Sequence, residues 1–207
     1  MTTSSPSPPS FVYLASASPR RRELLRQIGV QWQLLPARID ESSRAGEAAA
    51  DVARRLALDK AREAASRVPP DRPAPVLAAD TVVTVAGELL GKPADEADGM
   101  RMLRLLSGRT HEVFSAVAVI SGDSETQAVS RTEVVFRKLA AEEISAYWRS
   151  GEPADKAGGY AIQGLGAMFV RGIRGSYSGV MGLPLFETAE LLVRHGWRLW
   201  SSPRSSA

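Results

Sequence analysis

The sequence contains no cysteine and only two histidines, His111 and His195. Without cysteine the protein has no disulfide bond, no thiol nucleophile and no thiolate metal site, and this composition fits a reducing compartment. Two histidines are too few for a histidine-rich metal site. Any bound metal must therefore rely on carboxylates and phosphates, which suits a hard ion such as Mg²⁺. No serine or cysteine motif surrounds either histidine, and we interpret both as structural.

Long apolar segments are lacking as well. No apolar run approaches the roughly 20 residues that a membrane-spanning helix needs, so no membrane partner is expected. Residues 1–10 are rich in Ser and Pro and have no basic start, which predicts a disordered tail and not a signal peptide. Residues 201–207 are a similar tail, and residues 11–200 are expected to form a single domain. The expected location is the cytoplasm.

The sequence also lacks a large excess of charge of one sign, and it contains few aromatic residues. Lys and Arg number 26 against 23 Asp and Glu, a formal net charge of +3, and aromatic residues make up 6%. Such a small basic excess favours local anion sites over a surface that coats nucleic acid, and the aromatics are too few for base-stacking platforms. We therefore expect no nucleic-acid partner. Neither a Walker A sequence nor a dinucleotide-type glycine fingerprint occurs.

What the sequence does contain is an alternation of apolar runs and helical periodicities. Strands are predicted at residues 11–15, 30–35, 76–85, 113–120, 126–137 and 167–173. Helices are predicted at residues 19–28, 48–67, 94–106, 141–149 and 184–195. Turn signals at residues 86–88 and at Gly122-Asp123 predict two hairpins, which add antiparallel pairs. This pattern predicts an α/β fold with a mixed sheet.

Three consecutive arginines, Arg20 to Arg22, occupy a predicted helix start. Ser18 is a good N-cap residue, and Pro19 suits the first helical position. A cation in the first turn opposes the helix dipole at a cost of roughly 0.3–1 kcal/mol. Free N–H groups and Arg side chains at such a start make a phosphate site, which favours an anionic ligand. A solvated basic turn is the alternative.

Asp80 interrupts an apolar strand pattern. A carboxylate inside such a strand is costly unless it is paired, hydrogen-bonded or bound to a metal, which suggests a functional role. The alternative is an Asp in a turn at the end of the strand. Lys92 follows the first predicted hairpin, which would bring it back towards Asp80. A solvated lysine explains Lys92 equally well.

Two further positions could contribute charge. Lys60 continues the helical ridge of Val52 and Leu56, so its stem should run over the core with the ammonium at an edge, although a surface lysine can do the same. Asp40-Glu41 is an acidic pair in a loop that could bind a metal or could simply be solvated.

The stretch from Asp155 to Gly164 is rich in glycine. Glycines allow close approach of the backbone, and Gln163 offers both a donor and an acceptor, as recognition of a base edge requires. A purely structural loop is the alternative.

Together these stretches resemble the Maf-like nucleoside triphosphate pyrophosphatases. The matching motifs are LASASPRRRELL, AADTVV, GKPAD, LSGRTHEV, DKAGGYAIQGLGAMFV and GSYSGVMGLPLFET, in the family's order from about Val12 to Leu192. Arg20, Thr81 and Gln163 are similar to the branch that acts on dTTP and UTP. The branch that prefers 7-methyl-GTP typically has a Trp after the Ser-Pro and a different residue after the Asp.

The resemblance implies an elongated mixed β-sheet flanked by helices, in two lobes with a nucleotide cleft between them, as in Maf and inosine triphosphatase proteins. It also implies a divalent metal cation, Mg²⁺ or Mn²⁺, and a possible homodimer. The implied reaction is hydrolysis between the α- and β-phosphates of dTTP, UTP and possibly modified pyrimidine nucleotides, giving a nucleoside monophosphate and pyrophosphate. A non-catalytic, nucleotide-binding regulator of septum formation or cell division is the alternative function.

The resemblance also implies the roles of the charged residues at the reaction centre. Lys60 and Lys92 would neutralise charge on the leaving pyrophosphate. Asp80 would act as general base on the attacking water or would hold the metal that activates it, and the sequence leaves both roles open. Glu41 is the candidate second ligand of that metal.

The remaining site residues would bind the nucleotide and set its specificity: Ser16, Arg20, Arg21, Thr81, Asp155 and Gln163. Arg20 and Arg21 come four residues before the apolar Leu24 and Leu25, so we expect them to point into the cleft. Arg22 and Arg26 lie away from that stripe and are expected to face water. Thr81 and Gln163 would read the pyrimidine.

Overall fold

A mixed, seven-stranded sheet organises residues 10–198, the part of the chain that the computed structural model describes. The strands are β1 (Val12–Leu14), β2 (Trp32–Leu34), β3 (Val76–Val85), β4 (Glu88–Leu90), β5 (Thr110–Ser121), β6 (Ser124–Phe136) and β7 (Val170–Arg174). Their order is β2-β1-β3-β5-β6-β7, with β4 paired to β3. β1 runs parallel to β2 and β3, and the other pairs are antiparallel. The predicted mixed sheet is confirmed.

Helices cover the sheet. They are α1 (Pro19–Gln27), α2 (Ala49–Ala65), α3 (Glu96–Leu106), α4 (Ala141–Arg149), α5 (Tyr177–Met181) and α6 (Leu185–Arg194). Three 3₁₀ segments lie at Glu152–Asp155, Ala157–Gly159 and Leu165–Phe169. None of the helices formed by residues 10–198 combines the length and the apolar character needed to cross a bilayer.

Both predicted hairpins are present. Ala86 and Gly87 join β3 to β4 with φ of 51° and 83°, the positive values that a tight two-residue turn with the twist of the strands requires. Gly122 and Asp123 join β5 to β6, because Ser121 pairs with Ser124.

The two faces of the sheet bury different side chains. Under α2 the face is lined mainly by small residues, which let the helix lie close to the strands: Ala53, Ala57, Ala61 and Ala64 of α2 meet Ala78, Ala116 and Ala118. On the opposite face, leucines of α1 and α6 fill a wider space: Leu24, Leu25, Leu191 and Leu192. Full burial of each such leucine contributes about 1.5–3 kcal/mol.

A third part of the core lies further along the long strands. There α3 and α4 pack on Val83, Val113 and Phe136. The first two parts instead use the beginning of β3, from Val76 to Ala79. The core is therefore divided along β3, with Asp80 and Thr81 between the first two parts and the third, which corresponds to the two lobes that the resemblance implies.

The sequence predicted most of these elements within a few residues, and the bounds of β3 and α4 agree. One prediction was wrong at its start, because residues 167–169 of the predicted last strand form a 3₁₀ turn and β7 begins only at Val170. Helix α5, with five residues, was not predicted, because so short a segment shows no periodicity. The predicted tails lie outside the described residues except for Ser10, and so do residues 199 and 200 of the predicted domain.

His111 is a buried titratable group at the centre of the third part of the core. Its Nε2 lies 2.8 Å from the hydroxyl oxygen of Tyr160, and its ring packs edge-on against Phe136. Burial lowers the pKa of His111 from 6.5 to about 4. The unfolded chain therefore binds a proton at a pH where the folded protein does not, and folding stability falls as the pH falls.

We expect the free energy of unfolding to be highest above pH 6.5 and to decrease by about 3 kcal/mol in total as the pH falls to about 4. Denaturant unfolding between pH 7 and pH 4.5 measures this slope. The variant His111→Phe should be less stable at pH 7 but should lose most of the slope. His195→Gln is the comparison: burial also lowers the pKa of His195, but the side chain is only half-buried, so the slope should decrease by much less than in His111→Phe. An unchanged slope in His111→Phe would show that other groups cause it.

Candidate active site

A cleft opens where strand β3 changes partners. β1 pairs with β3 only as far as Leu77, and β4 pairs with it only from Val83 onwards, whereas β5 follows the other edge. In the described part of the chain, Asp80 and Thr81 therefore have a neighbouring strand on one side only. The cleft in this gap has a volume of about 660 Å³, a size that suits a small organic ligand. Its other walls come from the start of α1, from α2 and from the loops around residues 36–43, 155–163 and 180–182.

Asp80 forms the buried floor of the cleft together with Lys60. The Nζ of Lys60 donates to Oδ1 of Asp80 over 2.7 Å, and both side chains are only 9% exposed. The same Nζ lies 3.0 Å from Oε1 of Glu41, whose side chain is 55% exposed. One ammonium thus bridges a buried carboxylate and a carboxylate at the rim. The structure brings together these three residues, which the sequence predicted separately.

The buried pair follows from the sequence of α2. Val52, Leu56 and Lys60 stand four residues apart on one ridge of the helix, and all three are buried. Asp80 faces this ridge from β3, so each charge has its compensation within reach. Either charge alone would be strongly unfavourable at this depth. Among residues 10–198, no side-chain hydrogen bond to Oδ2 of Asp80 is present, so this oxygen is available to a ligand.

Arg21 reaches into the cleft from the first turn of α1. Its Nε donates to the carbonyl oxygen of Gly182 over 2.8 Å, and its Nη1 donates to Oγ of Ser16 over 3.0 Å. Burial lowers the pKa of Arg21, and the charge of Asp80 opposes this shift. Arginine stays protonated in proteins, so these contacts leave a charged side chain with further N–H donors for an anion.

Arg20 is held in a similar way. Its Nε donates to the carbonyl oxygen of Met181 over 3.3 Å, and its Nη1 lies 3.7 Å from a carboxylate oxygen of Asp155. The carbonyls that hold Arg20 and Arg21 belong to the end of helix α5, where backbone acceptors carry partial negative charge. This contact offsets the unfavourable position of two cations at the start of α1. No local sequence pattern predicts this contact, because the two helices are far apart in the chain.

The neighbouring arginines are oriented differently, and neither lines the cleft. Arg26 is exposed beside Glu23, as expected. Arg22 was expected to face water, but its guanidinium lies over the ring of Trp32, 6.0 Å from the centroid, and the side chain is half-buried. A cation above an indole ring is a favourable arrangement at a surface. The three arginines therefore divide into two that face the cleft and one that packs on an aromatic ring.

The start of α1 also exposes backbone donors to the cleft. Ser18 is the N-cap and Pro19 the first helical residue, as predicted, but the Ser18 side chain makes no capping hydrogen bond. Ser16 instead accepts a hydrogen bond from the backbone N–H of Ser18 over 3.2 Å. The N–H groups of the first turn are therefore not occupied by a capping side chain, and a helix start of this kind attracts anions.

The opposite wall carries Asp155, Lys92 and Gln163, and all three are exposed. Asp155 makes an ion pair with the adjacent Lys156. Burial raises the pKa of Asp155, but the hydrogen bond and the charge of Lys156, with help from Arg20, outweigh it and lower the pKa overall. Lys92 and Gln163 have no side-chain partner within residues 10–198, so both are free to contact a ligand.

A carboxylate outside the cleft shapes the loop that carries Gln163. Glu152 accepts hydrogen bonds from the hydroxyl of Tyr147 over 2.7 Å and from the backbone N–H groups of Leu165 and Gly166 over 2.9 and 3.0 Å. These contacts hold the backbone in place just after Gln163, at residues 165 and 166. Glu152 and Tyr147 were not predicted as contributors to the site, because no local motif links them to the glycine-rich loop.

Thr81 lies on the other face of β3 from Asp80, because consecutive strand residues point to opposite sides. Its Oγ1 lies 3.0 Å from Oγ of Ser115, its register partner on β5. Ser115 is 1% exposed and donates to the carbonyl oxygen of Gly179 over 2.6 Å. The sequence predicted Thr81 as a site residue but gave no signal for Ser115, because the pairing of β3 and β5 is not local.

The charge balance of the cleft favours an anion. Five cations line it against three carboxylates: Arg20, Arg21, Lys60, Lys92 and Lys156 against Glu41, Asp80 and Asp155. No group of three or more His, Asp or Glu side chains suited to a metal occurs among residues 10–198. Asp80 and Glu41 are the two carboxylates that converge, and they would suit an ion that takes its other ligands from phosphates and water, as Mg²⁺ commonly does.

Known proteins resemble the chain over most of its length. Residues 11–195 match the family described as Maf-like protein. A dTTP/UTP pyrophosphatase of Methylococcus capsulatus is 56% identical over 182 residues, which cover 88% of this chain and 89% of that protein. A dTTP/UTP pyrophosphatase of Saccharophagus degradans is 50% identical over 192 residues, or 92% and 91%. The solved structure of the Staphylococcus aureus Ham1 protein is 16% identical with a TM-score of 0.42, covering 63% of this chain and 72% of that chain.

The buried pair gives a first test of the site. We expect Lys60→Met to lower the free energy of unfolding by about 3–5 kcal/mol, because Asp80 stays buried without its partner. Adding Asp80→Asn to Lys60→Met should cost less than the sum of the two single variants, by about 0.5–3 kcal/mol. Denaturant unfolding of the four proteins measures this coupling.

The matched control is Arg62→Met, on the same helix. Arg62 forms an exposed ion pair with Glu125, and its loss should cost no more than about 1 kcal/mol. Additive effects of Lys60→Met and Asp80→Asn would contradict the argument that the two charges depend on each other.

Proposed function

Because the chain belongs to the Maf-like protein family, we propose that it is a nucleoside triphosphate pyrophosphatase that acts on dTTP and UTP. The observation that carries the proposal is the buried Asp80–Lys60 pair at the floor of a cleft whose rim holds Arg20 and Arg21. The names of the two relatives, which are at least half identical to this chain, supply the substrate. The cleft supplies a phosphate-binding wall and a carboxylate placed to take a proton.

The triphosphate binds between the start of α1 and the lysines. Arg20 and Arg21 present Nη groups that suit phosphate oxygens, and the Nε contacts to carbonyls hold both guanidinium groups in place. Ser16 supports this wall, because its Oγ accepts from Arg21 and keeps its own proton for a phosphate. Asp155 holds Arg20 from the other side.

Hydrolysis requires a water oxygen to bond to phosphorus while the bridging oxygen between the α- and β-phosphates leaves. Asp80 takes the proton of that water at Oδ2, since Oδ1 accepts from Lys60. The bond from the α-phosphorus to the bridging oxygen breaks, and the electron pair leaves with pyrophosphate. Lys60 and Lys92 stabilise the negative charge that develops on this leaving group. The products are a nucleoside monophosphate and pyrophosphate.

A divalent cation such as Mg²⁺ or Mn²⁺ belongs to this proposal. Asp80 and Glu41 would hold it, and the contact of both carboxylates with the same Lys60 ammonium supports their convergence on one ion. When bound, such an ion lowers the pKa of a coordinated water and polarises the phosphate.

The base is read by Thr81 and Gln163. Both line the same cleft as Asp80, and the exposed amide of Gln163 can donate and accept at a pyrimidine edge. The contacts of Glu152 with the following residues hold the loop that presents this amide.

Pyrophosphate release from a panel of nucleoside triphosphates with Mg²⁺ and Mn²⁺ tests the activity. We expect turnover of dTTP and UTP to the monophosphate, and Asp80→Asn should lower kcat by about 10²- to 10⁴-fold, because Asn still accepts from Lys60 but cannot take a proton. Asp51→Asn, an exposed change on α2, should leave the rate unchanged.

Release of inorganic phosphate and a nucleoside diphosphate would show that the wrong bond was assigned. Nucleotide binding without any turnover would favour the non-catalytic regulator.

The two kinds of arginine give a second test. Arg21→Lys removes the forked guanidinium and should lower kcat/KM for UTP by about 10-fold or more, mainly through KM. Arg22→Lys, one residue further along, should change kcat/KM by less than about 2-fold, because Arg22 packs on Trp32 outside the cleft. Steady-state kinetics of both variants measures the difference. Equal losses would indicate that general positive charge, and not a positioned fork, binds the substrate.

A further inference from the structure

Three groups form a hydrogen-bonded chain from the cleft into the core. Thr81 Oγ1 lies 3.0 Å from Oγ of Ser115, and Ser115 Oγ donates to the carbonyl oxygen of Gly179 over 2.6 Å. Thr81 and Ser115 are direct partners in the register of β3 and β5, so two strands fix their separation. Ser115 is 1% exposed, and water does not compete for its hydroxyl.

The chemistry of donors and acceptors determines which way each hydroxyl proton points in this hydrogen-bonded chain. A carbonyl oxygen only accepts, so the single hydroxyl proton of Ser115 points to Gly179. Ser115 then has only lone pairs left, and Thr81 must donate in its contact with Ser115. The hydroxyl proton of Thr81 is therefore turned away from the cleft. Towards any ligand, Thr81 Oγ1 offers lone pairs and no proton.

The carbonyl group of Gly179, at the buried end of this hydrogen-bonded chain, is held in place as well. The carbonyl oxygen of Gly179 also accepts from the backbone N–H of Gly182 over 2.9 Å, in the turn that ends α5. Gly182 borders Thr81 in the lining of the cleft, where a Cβ would lie at ordinary contact distance, 3.9 Å from Thr81 Oγ1 and 3.7 Å from Nε of Arg21. Its φ of 118° also requires glycine. The hydroxyl oxygen of Thr81 is thus accessible from the cleft beside a cationic wall.

We propose that Ser115 is a positioning residue that makes Thr81 an obligate hydrogen-bond acceptor, so that the cleft selects pyrimidines with a ring N–H over pyrimidines with a bare ring nitrogen. Uracil and thymine carry a proton on N3 and can donate to Thr81. Cytosine presents a lone pair at N3, which would face the lone pairs of Thr81. The inference rests on the proposed function, because it assumes that Thr81 faces the base.

The experiment compares UTP with CTP, which differ at the edge that Thr81 would read. The wild type should prefer UTP in kcat/KM by at least about 10-fold. In Ser115→Ala the hydroxyl of Thr81 is free to rotate and can donate to N3 of cytosine. The preference should therefore fall by about 10-fold or more, with the value for CTP rising. In Thr81→Val the preference should fall too, but through a loss for UTP without any gain for CTP.

Two matched variants separate positioning from packing. Ser115→Thr keeps the hydroxyl and should keep the wild-type preference. Ser130→Ala removes a buried hydroxyl from the register partner of Ser115 on β6 and should also keep it. Thermal unfolding of each variant shows whether it is folded. If Ser115→Ala fails to fold, Ser115→Cys, of nearly equal size and with a weak donor, should lower the preference in the same direction.

Each outcome decides the proposal. Equal kcat/KM for UTP and CTP in the wild type, or an unchanged preference in folded Ser115→Ala, would overturn the role of Ser115. Equilibrium binding of UMP and CMP gives the same comparison without turnover. If the wild type releases no pyrophosphate, the proposed function fails, and the ratio of the two binding constants still decides whether Ser115 sets the preference.

Discussion

The unpaired stretch in the middle of β3 is the constraint on which the site depends. β5 pairs with β3 along one edge and fixes its position, while β1 and β4 share the other edge and leave Asp80 and Thr81 between them. Backbone groups at such a gap need other partners, and a ligand or water can supply them. The cleft therefore arises from the order of the strands, whereas its chemical character depends on the side chains around it.

Burial of charge is the second constraint. Two apolar residues in place of Lys60 and Asp80 would pack at this depth without any need for compensation, and such replacements are often neutral or stabilising. The pair is therefore weak evidence for stability and stronger evidence for function. Because Lys60 also contacts the exposed Glu41, the pair connects the floor of the cleft to its rim. Under the proposed function, a triphosphate with a divalent ion would bind between the floor and the rim.

The sequence predicted the parts of the site that follow from local patterns. The ridge of Val52, Leu56 and Lys60 and the carboxylate in an apolar strand are visible without a structure. The partners that hold Arg20 and Arg21 were not predictable, because the carbonyls of Met181 and Gly182 lie 161 residues away in the chain and end a helix too short for periodicity. Arg22 lies outside the cleft as predicted, but its packing on Trp32 was not predictable, because the position of Trp32 depends on how β2 packs. The homodimer and the roles of individual site residues stay predictions.

Asp80 and Thr81 are consecutive residues of β3, but their side chains lie in different surroundings. Asp80 points towards α2 and its ammonium, and Thr81 points towards α5 and its carbonyls, so one peptide unit joins the two environments. The ladder with β5 prevents this unit from sliding, and neither side chain can shift far from its hydrogen-bond partner. Under the proposed function, the distance between the group that takes the proton and the group that reads the base is thus set by backbone geometry. A base that does not fit Thr81 then displaces its phosphates from a fixed carboxylate, which is how a rigid site turns binding selectivity into a difference in rate.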